Sequence, residues 1–323
     1  MVPHSNIKGG PCSLKKVVFE LERRIRGNSE MTFGPAELIC QLLVGISRSM
    51  ILFIVCAGLS FVLGVLRIPN IAHGTLYMIG AFATFSITKM FAGSTGFWIA
   101  LIVAPLLVAL VSLVAERALF CHLYQREHLM LLLFTFALSL IIGDLVKIVW
   151  GAEYKSVSAP ALLKGSISIL GASFPRYNLF LILVGPLVAI AIWLFTNKTK
   201  IGKISRAAAV DREMVGVLGI NVSWVFAIAF VIGCYLAGVG GALVAPTVSI
   251  TLGMDHTLII EAFLIVIIGG LGNMWGALVG SLIFGITHSF GVLFWPQFAI
   301  VFPYIAVVIV LLLRPKGLLK SVW

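Results

Sequence analysis

The stretch NKTKIGKISRAAAVDREMVGVLGIN, residues 197–221, is the most polar interior segment of the chain. Five basic residues (Lys198, Lys200, Lys203, Arg206, Arg212) against two acidic ones (Asp211, Glu213) give it a net charge of 5 − 2 = +3. Downstream, from residue 214 to 313, there is no Lys or Arg, and the acids are Asp255 and Glu261 alone. A basic island set between long apolar regions is the layout of a cytoplasmic loop in a membrane protein.

Composition supports that reading. Of 323 residues, 60% are hydrophobic and 11% charged, and the mean hydropathy is +1.12; a soluble domain carries about 25% charged residues. The apolar runs are long enough, at about 20 residues each, to cross a hydrocarbon core of roughly 30 Å as helices. They are continuously apolar instead of alternating with period two, which strongly favours helices over a barrel. The expected fold is therefore an all-α polytopic transmembrane bundle of about eight to ten helices, some of them broken. The formal charge of +11 sits in clusters at segment ends. That is the pattern of membrane orientation, and it gives no nucleic-acid-binding face. Cys12, Cys40, Cys56, Cys121 and Cys234 are scattered, odd in number and without a C-x-x-C, so they read as buried apolar side chains.

Outward from the island the chain divides into a polar extension, 1–36, and a transmembrane region, 37–323. Within the extension, KKVVFELERRIR places Val17, Val18, Leu21 and Ile25 on one side of a helix lying in the interface. A cleaved signal peptide fits less well, because the charged part is long and a full apolar span follows it. A first span within 38–66 is interrupted by Arg48. Further spans are expected at about 75–91, 97–115, 129–150 and 178–196, with polar connections at 115–128 and 151–177. Asp144 and Lys147 are spaced to pair on one helical face. Beyond the island, spans follow at 222–244, a short piece at 258–268, a glycine-rich helix to about 293, and 298–313. With the island and the C-terminal RPKGLLK on the cytoplasmic side, two readings of the N-terminus stay open. Either the extension lies outside, or residues 70–74 make an additional or incomplete pass, which is preferred because the N-terminal part is basic.

Two interrupted segments stand about 200 residues apart, PNIAHG (69–74) and GGLGNMWG (269–276). Paired discontinuous helices point to a substrate path, because broken backbone is tolerated at membrane depth where it lines a cavity. Close packing through small residues, as at Gly276 and Gly280, is the competing reading. The candidate path residues are Asn70, His73, Gly74, Glu261, Gly270, Gly272 and Asn273. His73 has no partner at metal-ligand spacing and suits a clamp at a helix break; no metal is expected. Glu261, in an apolar run, should face the bundle interior or a cavity. No G-x-x-x-x-G-K-[ST] is present, and no nucleophile–base signature stands out, so an enzyme is not expected.

The island itself is more than a solvated loop. Ala207–Ala209 favour helix, Gly219 is placed to stop one, and Met214, Val215 and Leu218 give it an apolar side. A helix this short is marginal in water without a partner surface. The order G-K-x-x-R-A-x-A-x-D-x-E, ending G-I-N, resembles the cytoplasmic coupling loop of ABC-type permeases for branched-chain amino acids. GVLRIPNIAHGTLYMIGAF, IIGGLGNMWGALVG and RPKGLLK resemble further segments of that family in the same order, over about residues 38–320. Ile71, Asn273 and Met274 depart from the family pattern, as does the long extension.

The resemblance implies a multi-pass permease subunit in the cell's inner membrane. Its implied partners are a second permease, two cytoplasmic ATPases that hold the ATP and Mg, and an extracytoplasmic substrate-binding protein; the chain itself would need no cofactor. It also implies ATPase-coupling roles for Arg206, Ala207, Ala209, Asp211, Arg212, Glu213, Gly219 and Asn221. The implied cargo is a branched-chain amino acid, with urea or a short amide as the alternative. An ATPase-independent carrier or channel, and a non-transporting scaffold, are the readings from other classes.

Overall fold

A computed structural model describes residues 34–91, 93–120, 123, 128–169, 171–315 and 317–319. The amphipathic helix expected at 15–26, together with Cys12 and Cys121, lies outside these residues. Among them are eleven α-helices: α1 (Pro35–Leu66), α2 (His73–Met90), α3 (Ser94–Ala118), α4 (His128–Trp150), α5 (Arg176–Lys198), α6 (Lys200–Val210), α7 (Arg212–Val217), α8 (Val222–Val244), α9 (Met254–Gly269), α10 (Met274–Phe294) and α11 (Val301–Leu313). Six of them, α1, α3, α4, α5, α8 and α10, are long and apolar enough to cross a bilayer.

α1 is the central pillar. Pro35 pre-sets its first turn, and at about 1.5 Å per residue its 32 residues reach roughly 48 Å. Arg48 does not interrupt it. Its most apolar window is 94% buried, against 22% for α4 and α5, so α1 is enclosed by protein while α4 and α5 turn most of their surface outward. On α3 the outward stripe is Ile102, Leu106, Leu110 and Val114, a helical repeat suited to lipid. Pro105 and Pro186 sit inside α3 and α5, as neighbouring helices in a membrane permit.

α1 ends at Arg67, which adopts the left-handed conformation (φ 58°). Pro69 cannot continue a helix and biases Ile68 to extended backbone. Residues 67–72 then lead to α2, which starts beside the middle of α1: His73 Nε2 lies 3.1 Å from the Val55 carbonyl oxygen.

Between α4 and α5 the expected polar loop contains an antiparallel hairpin, β1 (Ser166–Ile169) with β2 (Ala172–Pro175). The first residue of this loop region to pair elsewhere is Lys155, bridged to Ile250 beyond α8. Asp144 and Lys147 do not form the expected ion pair. Cys56 and Cys234 are buried as expected, and Cys40 is half-buried.

The island forms two helices, α6 and α7, instead of one. Three short polar side chains punctuate it. Thr199 caps α6 (Gly202 N to Oγ1, 3.0 Å), Asp211 caps α7 (Met214 N to Oδ1, 3.0 Å), and Asn221 caps α8 (Trp224 N to Oδ1, 3.3 Å). Asp211 has extended backbone (φ −142°, ψ 105°), so the chain turns where a single helix was expected, in the way an N-cap residue does. Gly219, at φ 78°, lies just past the end of α7, as expected for a stop.

The end of α1 is hydrogen-bonded to the island, so its start, Pro35, lies at the opposite end of the bundle. α1 therefore runs from the face away from the island toward it.

Candidate functional site

A cavity of about 540 Å³ opens at the end of the bundle opposite the island. Its rim includes the exposed residues Thr247, Val248 and Ser249. Its walls come from α1 (Val44, Ile51, Leu52), α2 (Tyr77), α5 (Leu181) and α9 (Met254, Leu258). Tyr177 Oη donates to the Leu243 carbonyl at 2.7 Å and ties the start of α5 to the end of α8 beside it.

Ser47, Asn178, Thr251 and Thr257 add hydroxyl and amide groups to these walls, and the floor carries charge. Arg48 Nη2 donates to Glu261 Oε1 at 3.2 Å, and Arg48 Nη1 donates to the His288 ring at 3.0 Å. α1 supplies the cation, α9 the anion and α10 the imidazole. Glu261 thus faces a cavity, as its position in an apolar run required. The sequence reading missed Arg48, His288 and Tyr77. For Arg48 the signal was present, since an ionisable residue inside a span is itself a pointer to function.

Asn70, His73 and Gly74 do not line this cavity. Asn70 is 1% exposed, and neither side-chain atom has a hydrogen-bond partner among the described residues. His73 is fully buried against Val55. Gly74 abuts the Asp255 backbone, where a side chain would collide.

Gly270, Gly272 and Asn273 form the joint between α9 and α10. Both glycines have positive φ, 103° and 78°, which glycine adopts without strain. Asn273 Oδ1 accepts from Trp275 N (2.9 Å) and Gly276 N (3.1 Å) and so caps α10. The backbone near the C-terminus closes the same joint: Leu318 N donates to Ile268 O (2.8 Å) and Leu319 N to Gly269 O (3.3 Å). The GGLGN and RPKGLL segments are therefore one structural unit.

At the island the two short helices clasp the end of α1. Arg212 Nη2 donates to the Leu66 carbonyl (3.0 Å), and Arg67 Nη2 donates to the Ala209 carbonyl (2.8 Å). Arg212 also lies over the Phe226 ring, 5.0 Å from its centroid. Burial, then the positive charge of Arg67, lower the Arg212 pKa from its ordinary value; the two helix-end carbonyls offset that repulsion. Arg206 Nη1 donates to Asn197 Oδ1 (3.0 Å), and both line a crevice with Gly272, Asn273 and Trp275. Two groups of residues that looked separate in sequence thus share one crevice.

The outer side of the island is open. Ala207, Asp211, Glu213 and Asn221 are exposed, with Val210 69%, Met214 60%, Val217 84% and Leu218 70% exposed beside them. Of the expected apolar side, Val215 alone packs inward.

Over residues 41–313 the chain matches the family described as the permease component of branched-chain amino acid transport systems. It belongs to that family. It is 28% identical over 292 residues to the high-affinity branched-chain amino acid transport system permease protein BraD of Pseudomonas aeruginosa, covering 86% of this chain and 94% of that one. It is 27% identical over 299 residues to the corresponding protein LivH of Escherichia coli, with the same coverage. A probable branched-chain amino acid transport permease LivH of Methanocaldococcus jannaschii is 27% identical over 252 residues, covering 75% of this chain and 77% of that protein. No solved structure matches the chain.

Members of this permease family are transport subunits, not enzymes. With its six apolar spans, the chain is a multi-pass protein of the cell's inner membrane.

Proposed function

We propose that this permease carries branched-chain amino acids into the cell, together with a second permease, two cytoplasmic ATPases that bind ATP and Mg, and an extracytoplasmic binding protein. One observation carries the reading: α1 is gripped by the island at one end and supplies the charged floor of the outward cavity from its other half. A rigid helix joined to both sites is a physical route for coupling. The relatives named for branched-chain amino acid transport support the cargo, and the aliphatic part of the cavity wall, Val44, Ile51, Leu52, Leu181 and Leu258, suits it.

In this mechanism the exposed face of α6 and α7 seats against an ATPase, through Asp211, Glu213, Met214, Val217 and Leu218. Ala207 keeps that face close to the helix axis, while Gly219 and Asn221 fix where α7 stops and α8 begins. When ATP draws the ATPases together, the island moves. Arg212 and the Arg67–Ala209 bond transmit the motion to α1, and Arg206 transmits it to the start of α10 through the shared crevice. The cavity then closes above Glu261 and opens toward the cytoplasm, past the two breaks that hold Asn70, His73 and Gly74 on one side and Gly270, Gly272 and Asn273 on the other.

The test is uptake of radiolabelled leucine into proteoliposomes holding the complete transporter. ATP-dependent uptake should be inhibited by isoleucine and valine and not by urea; urea uptake in place of leucine would overturn the cargo. Asp211→Lys with Glu213→Lys should abolish uptake while the permease remains inserted in the membrane. Unchanged uptake would overturn the coupling assignment.

A further inference from the structure

The cavity floor shows a specific chemistry that the family name does not supply. A guanidinium and a carboxylate face each other at 3.2 Å at the bottom of a chamber whose walls mix aliphatic side chains with the hydroxyl and amide groups of Ser47, Thr257 and Asn178. A partly buried ion pair adds little stability, and an apolar pair of similar volume is often as stable or more so. Their presence in the membrane interior therefore points to use. Arg48 turns toward the cavity: its side chain is 38% exposed, that of Glu261 11%. His288 bonds a different guanidinium nitrogen, Nη1, and so holds the Arg48 head from behind. With Nη1 held in this way, release of Glu261 from Nη2 presents a planar fork suited to a carboxylate. Glu261, an acceptor on both oxygens, is suited to an ammonium. Ile51, Leu52, Leu181 and Leu258 line the cavity around the pair.

We propose that Arg48 and Glu261 form a head-group subsite for a free zwitterionic amino acid, the guanidinium taking the α-carboxylate and Glu261 the α-ammonium while the aliphatic side chain lies against the apolar wall. Without substrate the two residues satisfy each other. An arriving zwitterion exchanges one ion pair for two of the same kind, so the floor opens without leaving a bare charge in the membrane. A ligand carrying one charge would leave one protein charge unpaired, which is the basis of its rejection. This deepens the proposed function, resting on its assignment of the cavity to the transport path.

The test uses the assembled permease–ATPase complex. In the absence of the binding protein, unlabelled leucine should displace radiolabelled leucine at least about tenfold better than isoamylamine, which lacks the carboxylate, or 4-methyl-2-oxopentanoate, which lacks the amine; each loses a charged hydrogen bond. Arg48→Met should abolish the preference over isoamylamine, and Glu261→Gln the preference over the oxo acid.

Reconstituted with the binding protein, the double variant Arg48→Met with Glu261→Met removes both charges together and leaves neither unpaired. It should lower leucine transported per ATP hydrolysed by about tenfold or more while binding-protein-stimulated ATP hydrolysis persists. Full transport by this variant would show the pair to be structural and overturn the proposal. If the variant does not fold, equal displacement by all three ligands on the wild type overturns it instead. Absence of leucine uptake by the wild type is a different result, since it breaks the functional assignment itself.

Discussion

The two breaks in the apolar helices, residues 67–72 between α1 and α2 and residues 270–273 between α9 and α10, look like counterparts in sequence and are opposites in structure. The second is sewn shut. Asn273 caps α10, and Leu318 and Leu319 satisfy the carbonyls of Ile268 and Gly269 at the end of α9. At the first, Ile71 N finds the Thr135 hydroxyl (3.2 Å) and His73 Nε2 finds the Val55 carbonyl. The Asn70 amide and His73 Nδ1 have no partner among the described residues. A buried polar group left unpaired costs about 1–3 kcal/mol. Among the described residues, the first break is therefore held by fewer hydrogen bonds, and the second is a joint closed from both sides. A transporter needs both kinds of site: an element that is not locked in one arrangement, and a fixed point for it to move against.

The largest effect should come from the joint. Gly270→Val forces a branched residue to φ 103° and directs its Cβ into the Leu319 carbonyl. Backbone strain alone is worth about 1–3 kcal/mol, so with the collision the loss should be at least about 3 kcal/mol. Thermal unfolding in detergent should show a much lower midpoint, and poor recovery of folded protein from the membrane. A midpoint like that of the wild type would mean that the joint is not rigid.

At the first break the sign should reverse. Asn70→Leu keeps the branched outline of the side chain, with larger methyl groups at its tips, and removes an amide without a partner among the described residues, which should stabilise the permease by about 1–3 kcal/mol. If that amide takes a partner in another state of the cycle, transport should fall as stability rises. Chemical denaturation read alongside leucine uptake checks both. Lower stability on this substitution would show that Asn70 is already paired, and the contrast between the two breaks would fail.

These opposite characters were not legible in the sequence, and the reason is physical. Gly/Pro interruption marks where a helix stops, which is a local property of Pro69, Gly270 and Gly272. What satisfies the exposed backbone is a tertiary matter: Leu318 and Leu319 stand about 50 residues from the carbonyls they cap. The same limit hid the Arg48–Glu261 pair, whose members are 213 positions apart. Taken singly, one looked like an interruption of a span and the other like an isolated acid. Local signals served better. The bounds of α8 follow from its apolar run alone, and the island was readable as helix from Ala207–Ala209. Its division into α6 and α7 was carried by Asp211, a good N-cap standing where one helix was expected to run through. The hairpin also had a local sign, alternating SISI followed by Gly171 at φ 91°, which the polarity of the surrounding loop obscured.

The smallest effect separates the two meanings of Asn273. As a cap, its oxygen accepts the Trp275 and Gly276 amides, and serine does this about as well as asparagine. Asn273→Ser should therefore change stability by no more than about 0.5 kcal/mol, whereas Asn273→Ala should cost about 1 kcal/mol. Uptake completes the comparison. If Asn273 serves the joint alone, the serine variant should transport leucine at the wild-type rate and the alanine variant should lose activity in proportion to its lost stability. If Asn273 also meets the substrate, the serine variant should lose transport while its unfolding midpoint stays in place. That outcome would move the substrate path from the Arg48–Glu261 floor down to the crevice where Arg206 meets the start of α10, and the second break would then be a joint and a passage at once.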